Sequence, residues 1–263
     1  MSTSRIFAQI CLCAIALAPT QLDAQDMLQG VDLAQPAYSR SEFSRADVEA
    51  ALKNRAPGAK VDFAGKSLNG LDLSGLDLHD VDFRAARLNK ARLAGATLDH
   101  AILSQAWLIE ADLTGASLKG AQAFATQMQR MKADGADFTG ARLAGDLSGA
   151  SLRDALFDAA DLSADMKNQS MGLMRAVLRS THLEGAHFRK ANLMSADLRF
   201  AHAAQADFTG ANLRNADAAG ADFTGANWSG AAVKDLDVDS AQIDAASKGP
   251  LAEAQHLDRA QFK

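Results

Sequence analysis

The 263-residue sequence is short of cysteine, proline and aromatic residues, and its charge is nearly balanced. Its four prolines, Pro19, Pro36, Pro57 and Pro250, leave residues 58–249 free of proline, so one uninterrupted regular element can run there. Aromatics are 6% of a chain that is 48% hydrophobic, because Ala and Leu dominate. A globule of this length normally buries more aromatic surface. The core is therefore expected to be narrow and filled by small and medium side chains. Lys and Arg number 27 against 32 Asp and Glu, a net charge of -5. That balance excludes binding driven by phosphate neutralisation.

The two cysteines, Cys11 and Cys13, both fall in a segment that reads as an address. In residues 1–24, Arg5 is followed by an apolar run from Ile6 to Ala18, too short to span a bilayer as a stable helix. Pro19 breaks the run, and Leu22-Asp23-Ala24 offers a cleavage site before Gln25. Residues 1–24 are thus expected to be a signal peptide. Its removal leaves 26 basic and 31 acidic residues, still -5, and no cysteine. Such a chain has no disulfide, no thiol nucleophile and no cysteine-based zinc site. It fits an oxidising compartment, so a bacterial periplasmic or otherwise exported protein is expected, with no transmembrane segment once the signal is removed.

What the sequence has in abundance is a period of five. From Val61 the chain divides into VDFAG, KSLNG, LDLSG, LDLHD and onward. Every fifth residue from Phe63 to Leu118 is Leu or Phe. Two places earlier stand Ala86, Ala91, Ala96, Ala101, Ala106, Ala111 and Ala116. A second block repeats Ala at every fifth position from Ala186 to Ala231. Five matches neither the helical period of 3.6 nor the strand period of 2. Gly within the repeats and Asp just before the centre also disfavour helix.

The A-(D/N)-(L/F)-x-x pattern, as in ADLTG at 111–115, ANLMS at 191–195 and ADFTG at 206–210, resembles the pentapeptide-repeat family over about residues 61–245. The resemblance implies an all-β solenoid, a right-handed quadrilateral parallel β-helix with four pentapeptides per coil. It also implies that the Leu/Phe centre and the small residue two places before it point inward, with the other three positions facing solvent. The 37 pentapeptides would make about nine coils and a rod about 45 Å long at ~4.8 Å per coil. Both ends of a solenoid need caps. Ser44-Arg45-Ala46-Asp47 is a capping box, so 44–58 is expected to hold an N-terminal capping helix ended by Pro57-Gly58. Residues 25–43, with the single tyrosine Tyr38, look extended or disordered. The repeat region is set at 59–245 and a C-terminal cap at 246–263, as a closing helix or a last irregular turn.

The frame breaks where Leu143 is followed by a centre at Leu147, and returns through an extra residue near Asp165. The runs 122–135 and 165–175 are weak in hydrophobic centres and carry Met128, Met131, Met166, Met171 and Met174. Thioethers commonly fill irregular gaps; a soft-metal or hydrophobic-ligand patch is the alternative. Outward residues twenty apart should stack. Asp72, Arg92, Asp112 and Lys132 alternate in sign; Asp197, Asp217 and Asp237 form a solvated acidic strip, with a weak cation site as the alternative. His182 and His202 stack below Asp222 as an exposed pair without a third fixed metal donor. Ile102, Trp107, Ile109 and Phe124 all occupy positions that should face solvent. A contiguous apolar group of this kind marks either a contact surface or cover by the 121–135 run.

No catalytic constellation, cofactor motif or metal set is present, and a filled rod offers few concave sites. The sequence therefore points to a non-enzymatic exported scaffold or interaction module. Its partner would be a protein rather than nucleic acid, and it would be a monomer or an end-to-end dimer. The alternatives are a DNA-mimicking topoisomerase-protecting protein of the quinolone-resistance type, which the resemblance raises, and a periplasmic metal-handling accessory protein.

Overall fold

The computed structural model describes residues 32–56, 58–165 and 174–263. The expected signal peptide, and Met166 and Met171, lie outside the described residues. From Val61 onward the chain coils, and each five-residue unit makes one face and one corner. On each face the centre points inward. Leu73, Leu88, Leu93 and Leu98 are all fully buried, as are Ala86 and Ala91. At most corners the carbonyl of the centre accepts from the amide three residues on, as Leu88 does from Ala91 at 3.0 Å. The residue before that amide has positive φ, +56° at Lys90 and +64° at Gly95. This is the type II turn, which explains why glycine recurs in that place.

Pairs twenty residues apart bridge in parallel, as in Asp72↔Arg92 and Arg92↔Asp112. Each coil bonds to both neighbours: Arg92 N–H donates to Leu71, and Leu93 N–H to Asp112. One line of rungs runs from Asp62 to Ala232. A face contributes so few extended residues between turns that most pairing consists of single bridges. The aspartate just before many centres has a local task. Asp112 Oδ1 accepts from Thr114 N–H at 3.0 Å and from its hydroxyl at 2.7 Å. Asp207 and Asp222 lock their corners in the same way with Thr209 and Thr224. Inside, Phe138, Phe157, Phe188 and Phe208 stack in one column, with centroids 4.9, 4.8 and 5.2 Å apart. The ring spacing equals the coil spacing, so the column needs no distortion.

The 122–135 run is not a covering loop. Gln122–Gln127 forms β1, which pairs in parallel with β2, Arg142–Asp146. Ala123, Met128 and Ala133 occupy inward centres, and Met131 fills the inward place usually held by Ala. The missing residue is absorbed between Phe124↔Ala144 and Gln127↔Asp146, where the register slips by one. Gly145 lies there directly against the Thr126 backbone. The later insertion is larger than the sequence frame indicates. Asp146↔Val177 and Ser151↔His182 are separated by 31 instead of 20, an excess of eleven. Counting in fives hides ten of those eleven. Asp165 N–H donates to Met174 C=O at 2.8 Å across the neck of this excursion.

At the start, α2 spans Arg45–Lys53, after the short α1, Pro36–Ser39. Ser44 and Asp47 cap α2 reciprocally, and Val48 is buried against the first coil. At the other end there is no closing α-helix. Two 3-10 turns, Ala245–Lys248 and Leu257–Arg259, lead to β4, Gln261–Phe262, which pairs with β3, Gln242–Ile243. Among the described residues, no helix is long and apolar enough to cross a membrane.

Candidate functional site: the strap face

One face of the coil differs from the rest. Its rungs carry Ser67, Arg87, Trp107, Gln127, Asp146, Val177, Asp197, Asp217 and Asp237 before the centres. After the first centres come Asn69, Asn89 and Ile109. The N-terminal segment lies along this face. Residues 25–43 were expected to be extended or disordered. From Asp32 onward they instead make α1 and a strap across three coils.

The strap is held mainly by side chains. Ser67 Oγ and Asn69 Nδ2 both donate to Arg40 C=O, and Asn89 Nδ2 donates to Tyr38 C=O at 3.4 Å. The amides beneath form a ladder: Asn89 N–H donates to Asn69 Oδ1, and Ile109 N–H to Asn89 Oδ1. Tyr38 stacks on Trp107, with centroids 5.2 Å apart and planes 7° from parallel. At its C-terminal end, Glu42 N–H donates to Ser67 C=O and Ser67 N–H donates to the Glu42 carboxylate. A cavity of about 110 Å³ remains beneath the strap, between Leu33, Tyr38, Asn89 and Ile109.

These contacts are modest. The ring stack contributes about 0.5–1.5 kcal/mol, and each side-chain hydrogen bond about 1 kcal/mol net. Ordering a residue costs about 1–2 kcal/mol of backbone entropy. An antiparallel Ser41↔Leu68 bridge pins the C-terminal end of the strap, and residues 32–39 are held to the coil by side-chain contacts. Segments so attached open locally far more easily than the rungs they cover.

The four residues expected in one outward patch separate. Ile109 is 1% exposed, so its expected solvent-facing position is corrected: it lies beside the cavity under the strap. Trp107 is half-buried beneath Tyr38. The cover is therefore the N-terminal strap, not the 121–135 run. Ile102 and Phe124 sit half-buried on the preceding face, where the Arg142 guanidinium lies 6.0 Å from the Phe124 ring centroid.

Higher on the strap face, the acidic strip is not a solvated row. Asp197 is fully buried and receives Arg175, Arg179 and Arg199 at 3.2, 2.7 and 2.7 Å. Burial pushes its carboxyl above the usual range, against the pull of Arg179 and Arg175. Asp217 is also raised by burial, and pairs with Arg199 at 3.2 Å. Asp237 accepts from His256. His182 and His202 stack 4.9 Å apart, and His182 Nδ1 is 3.3 Å from Glu184. Among the described residues no three acidic, histidine or cysteine groups are placed to hold a metal ion.

Sequence reasoning missed Asn69 and Asn89, and the arginines on Asp197. A signal existed for the first two: amide or apolar residues (Asn69, Asn89, Ile109, Gln129) recur after the centre on four successive coils, where most coils carry small or charged residues.

A family model for pentapeptide repeats matches residues 77–115, 91–129, 173–210 and 191–230, with eight copies. HetL, a pentapeptide repeat protein involved in heterocyst differentiation regulation in the cyanobacterium Nostoc sp. strain PCC 7120, is 31% identical. That match covers 70% of this chain and 78% of HetL, with a TM-score of 0.23. A pentapeptide repeat protein of the Arabidopsis thaliana thylakoid lumen is 24% identical over 62% of this chain and 79% of its own, with a TM-score of 0.31. QnrB1, a plasmid-mediated fluoroquinolone resistance protein, is 15% identical over 86% of this chain and 87% of its own, with a TM-score of 0.42. No curated protein matches the sequence. With its inward Leu, Phe and Ala positions and rungs twenty residues apart, the chain belongs to the pentapeptide-repeat family.

Proposed function

We propose that this protein is a non-enzymatic interaction protein of the bacterial envelope, a rigid right-handed quadrilateral coil that presents its faces to a protein partner. The observation that carries this reading is the filled interior. Among the described residues the inward centres are buried, as are the alanines before them except the half-buried Ala226 and Ala231, so chemical variety is confined to the outer faces. Side chains on those faces stand at fixed intervals, as the Asp72–Arg92 pair and the His182–His202 stack illustrate. Such a surface suits multipoint recognition. The apolar run from Ile6 to Ala18 supports export.

The DNA-mimic reading needs free carboxylates. Here many of the aspartates lock corners or meet arginine, as Asp207 and Asp197 do. The test is fractionation of the host followed by N-terminal sequencing and cross-linked capture from the envelope fraction. The expected result is a terminus near Gln25 and one stoichiometric protein partner. A cytoplasmic protein that starts at Met1 and shields a topoisomerase from a quinolone in a supercoiling assay would overturn it.

A further inference from the structure

We propose that the strap face is a peptide-docking groove, and that a partner segment displaces the strap from it. This rests on the interaction-protein reading and specifies the surface and the recognition chemistry. The strap itself is the template. It presents an aromatic ring to Trp107, the carbonyl of that same residue to Asn89, and the carbonyl two residues on to Ser67 and Asn69. Two residues further still, the Glu42 carboxylate approaches Arg87 only to 3.9 Å.

The strap fills this groove imperfectly. Arg87 Nε is buried with no hydrogen-bond partner. The Asn89–Tyr38 bond is long at 3.4 Å, and the cavity beside Ile109 is left open. A buried guanidinium N–H without an acceptor is costly, so a better-placed carboxylate on an incoming chain gains what the strap does not supply. The occupant is therefore a segment of a partner protein that repeats the strap's helical turn, with an aromatic residue and an acidic residue four positions after it. Displacement exposes Trp107 and Ile109 together. An aromatic anchor beside a buried aliphatic side chain, rimmed by amides, is the make-up of a binding hot spot. Main-chain carbonyls bound by a fixed ladder of side-chain amides would set the register of the incoming chain.

The probe is a labelled synthetic peptide of Leu33–Phe43, titrated by fluorescence anisotropy against the full-length protein and its Tyr38→Ala variant. A tethered strap competes at high effective concentration. The peptide should therefore bind the Tyr38→Ala chain at least about tenfold more tightly than the parent. A peptide carrying Tyr38→Ala should lose at least about tenfold in affinity. Absence of binding to the Tyr38→Ala chain, or equal affinity for both peptides, would overturn the proposal.

Amide hydrogen exchange on the unmodified protein provides a second readout. The Tyr38 and Arg40 amides should exchange orders of magnitude faster than the rung amides of Leu88 and Leu93. Equal protection would mean that the strap opens only with the whole coil, and the groove would not be available. A failed peptide titration alongside a successful envelope capture would place the partner on another face. Failure of both would remove the interaction reading itself.

Discussion

Replacing Gly145 by alanine probes the tightest place in the coil. A Cβ built on Gly145 would overlap the carbonyl oxygen of Thr126 and lie 2.9 Å from its nitrogen. Both are backbone atoms, so no side chain can rotate aside. Thr126 is itself fixed: it is fully buried, and its hydroxyl donates to Leu103 C=O at 3.0 Å. The neighbouring Gln127↔Asp146 pair holds the two coils at rung spacing. The methyl must push β2 away from β1, a strain of the order found for overpacked cores, about 1–3 kcal/mol. For a domain of this size each kcal/mol shifts the melting temperature by about 2–4 °C, so the expected loss is about 2–12 °C. Gly249→Ala is the control, since that glycine has φ -66° and nothing within 4 Å of the place its methyl would take. The assay is thermal unfolding followed by circular dichroism. If both variants melt together with the parent, the one-residue slip is not located at Gly145 and the register assigned to β1 and β2 is wrong.

Leu93→Lys places an ammonium in a position with no solvent exposure. A loss of about 4 kcal/mol or more is expected, and a parent-like melting curve would refute the inward assignment. Asp197→Ala leaves three guanidiniums without their shared acceptor. The arginines are part-exposed and Arg199 keeps Asp217, so the loss is that of charge-assisted hydrogen bonds, about 1.5–3 kcal/mol or about 3–12 °C; a change within error would show that the cluster is held by other groups. Acid should destabilise the coil in a defined window. At Asp137, Asp207 and Asp222 burial pushes the carboxyl up, but hydrogen bonds from Thr139, Thr209 and Thr224 win and hold each below the usual range. Their stabilisation is present above the unfolded value near pH 4 and lost as pH falls through the lower folded values. Asp197 and Asp217 act oppositely, adding stability below the unfolded value that is lost as pH rises through their raised ones. Melting scans from pH 8 downward should therefore decline below about pH 4; stability still rising there would show that the two raised groups dominate.

The coil was legible because its constraint is local and repeats: a Leu or Phe centre with a small residue two places before it fills most faces. The slip at Leu143–Leu147 was legible for the same reason. The insertion near Asp165 was underestimated because ten extra residues leave a five-residue frame unchanged. Met131 was read as part of an irregular run, although it substitutes for Ala as an inward residue, since a flexible thioether can enter a narrow site. Ile109 was misplaced for a different reason. The rule for a repeat says which side of the coil a residue takes, not what else covers that side. Tyr38 covers it from a segment with no periodicity, and nothing in the pentapeptide pattern of Trp107 reveals its partner. Asp197 likewise looked solvated until three arginines from neighbouring turns converged on it.

Accessibility of Trp107 tests the covered-face account most directly. Trp228, the second tryptophan, is 3% exposed and contributes a nearly constant background to acrylamide quenching of the emission. Tyr38 is the ring that shields Trp107. Weak quenching in the parent and a severalfold larger quenching constant in folded Tyr38→Ala is the predicted result. Strong quenching in the parent, unchanged by Tyr38→Ala, would mean that the strap does not lie on this face in solution.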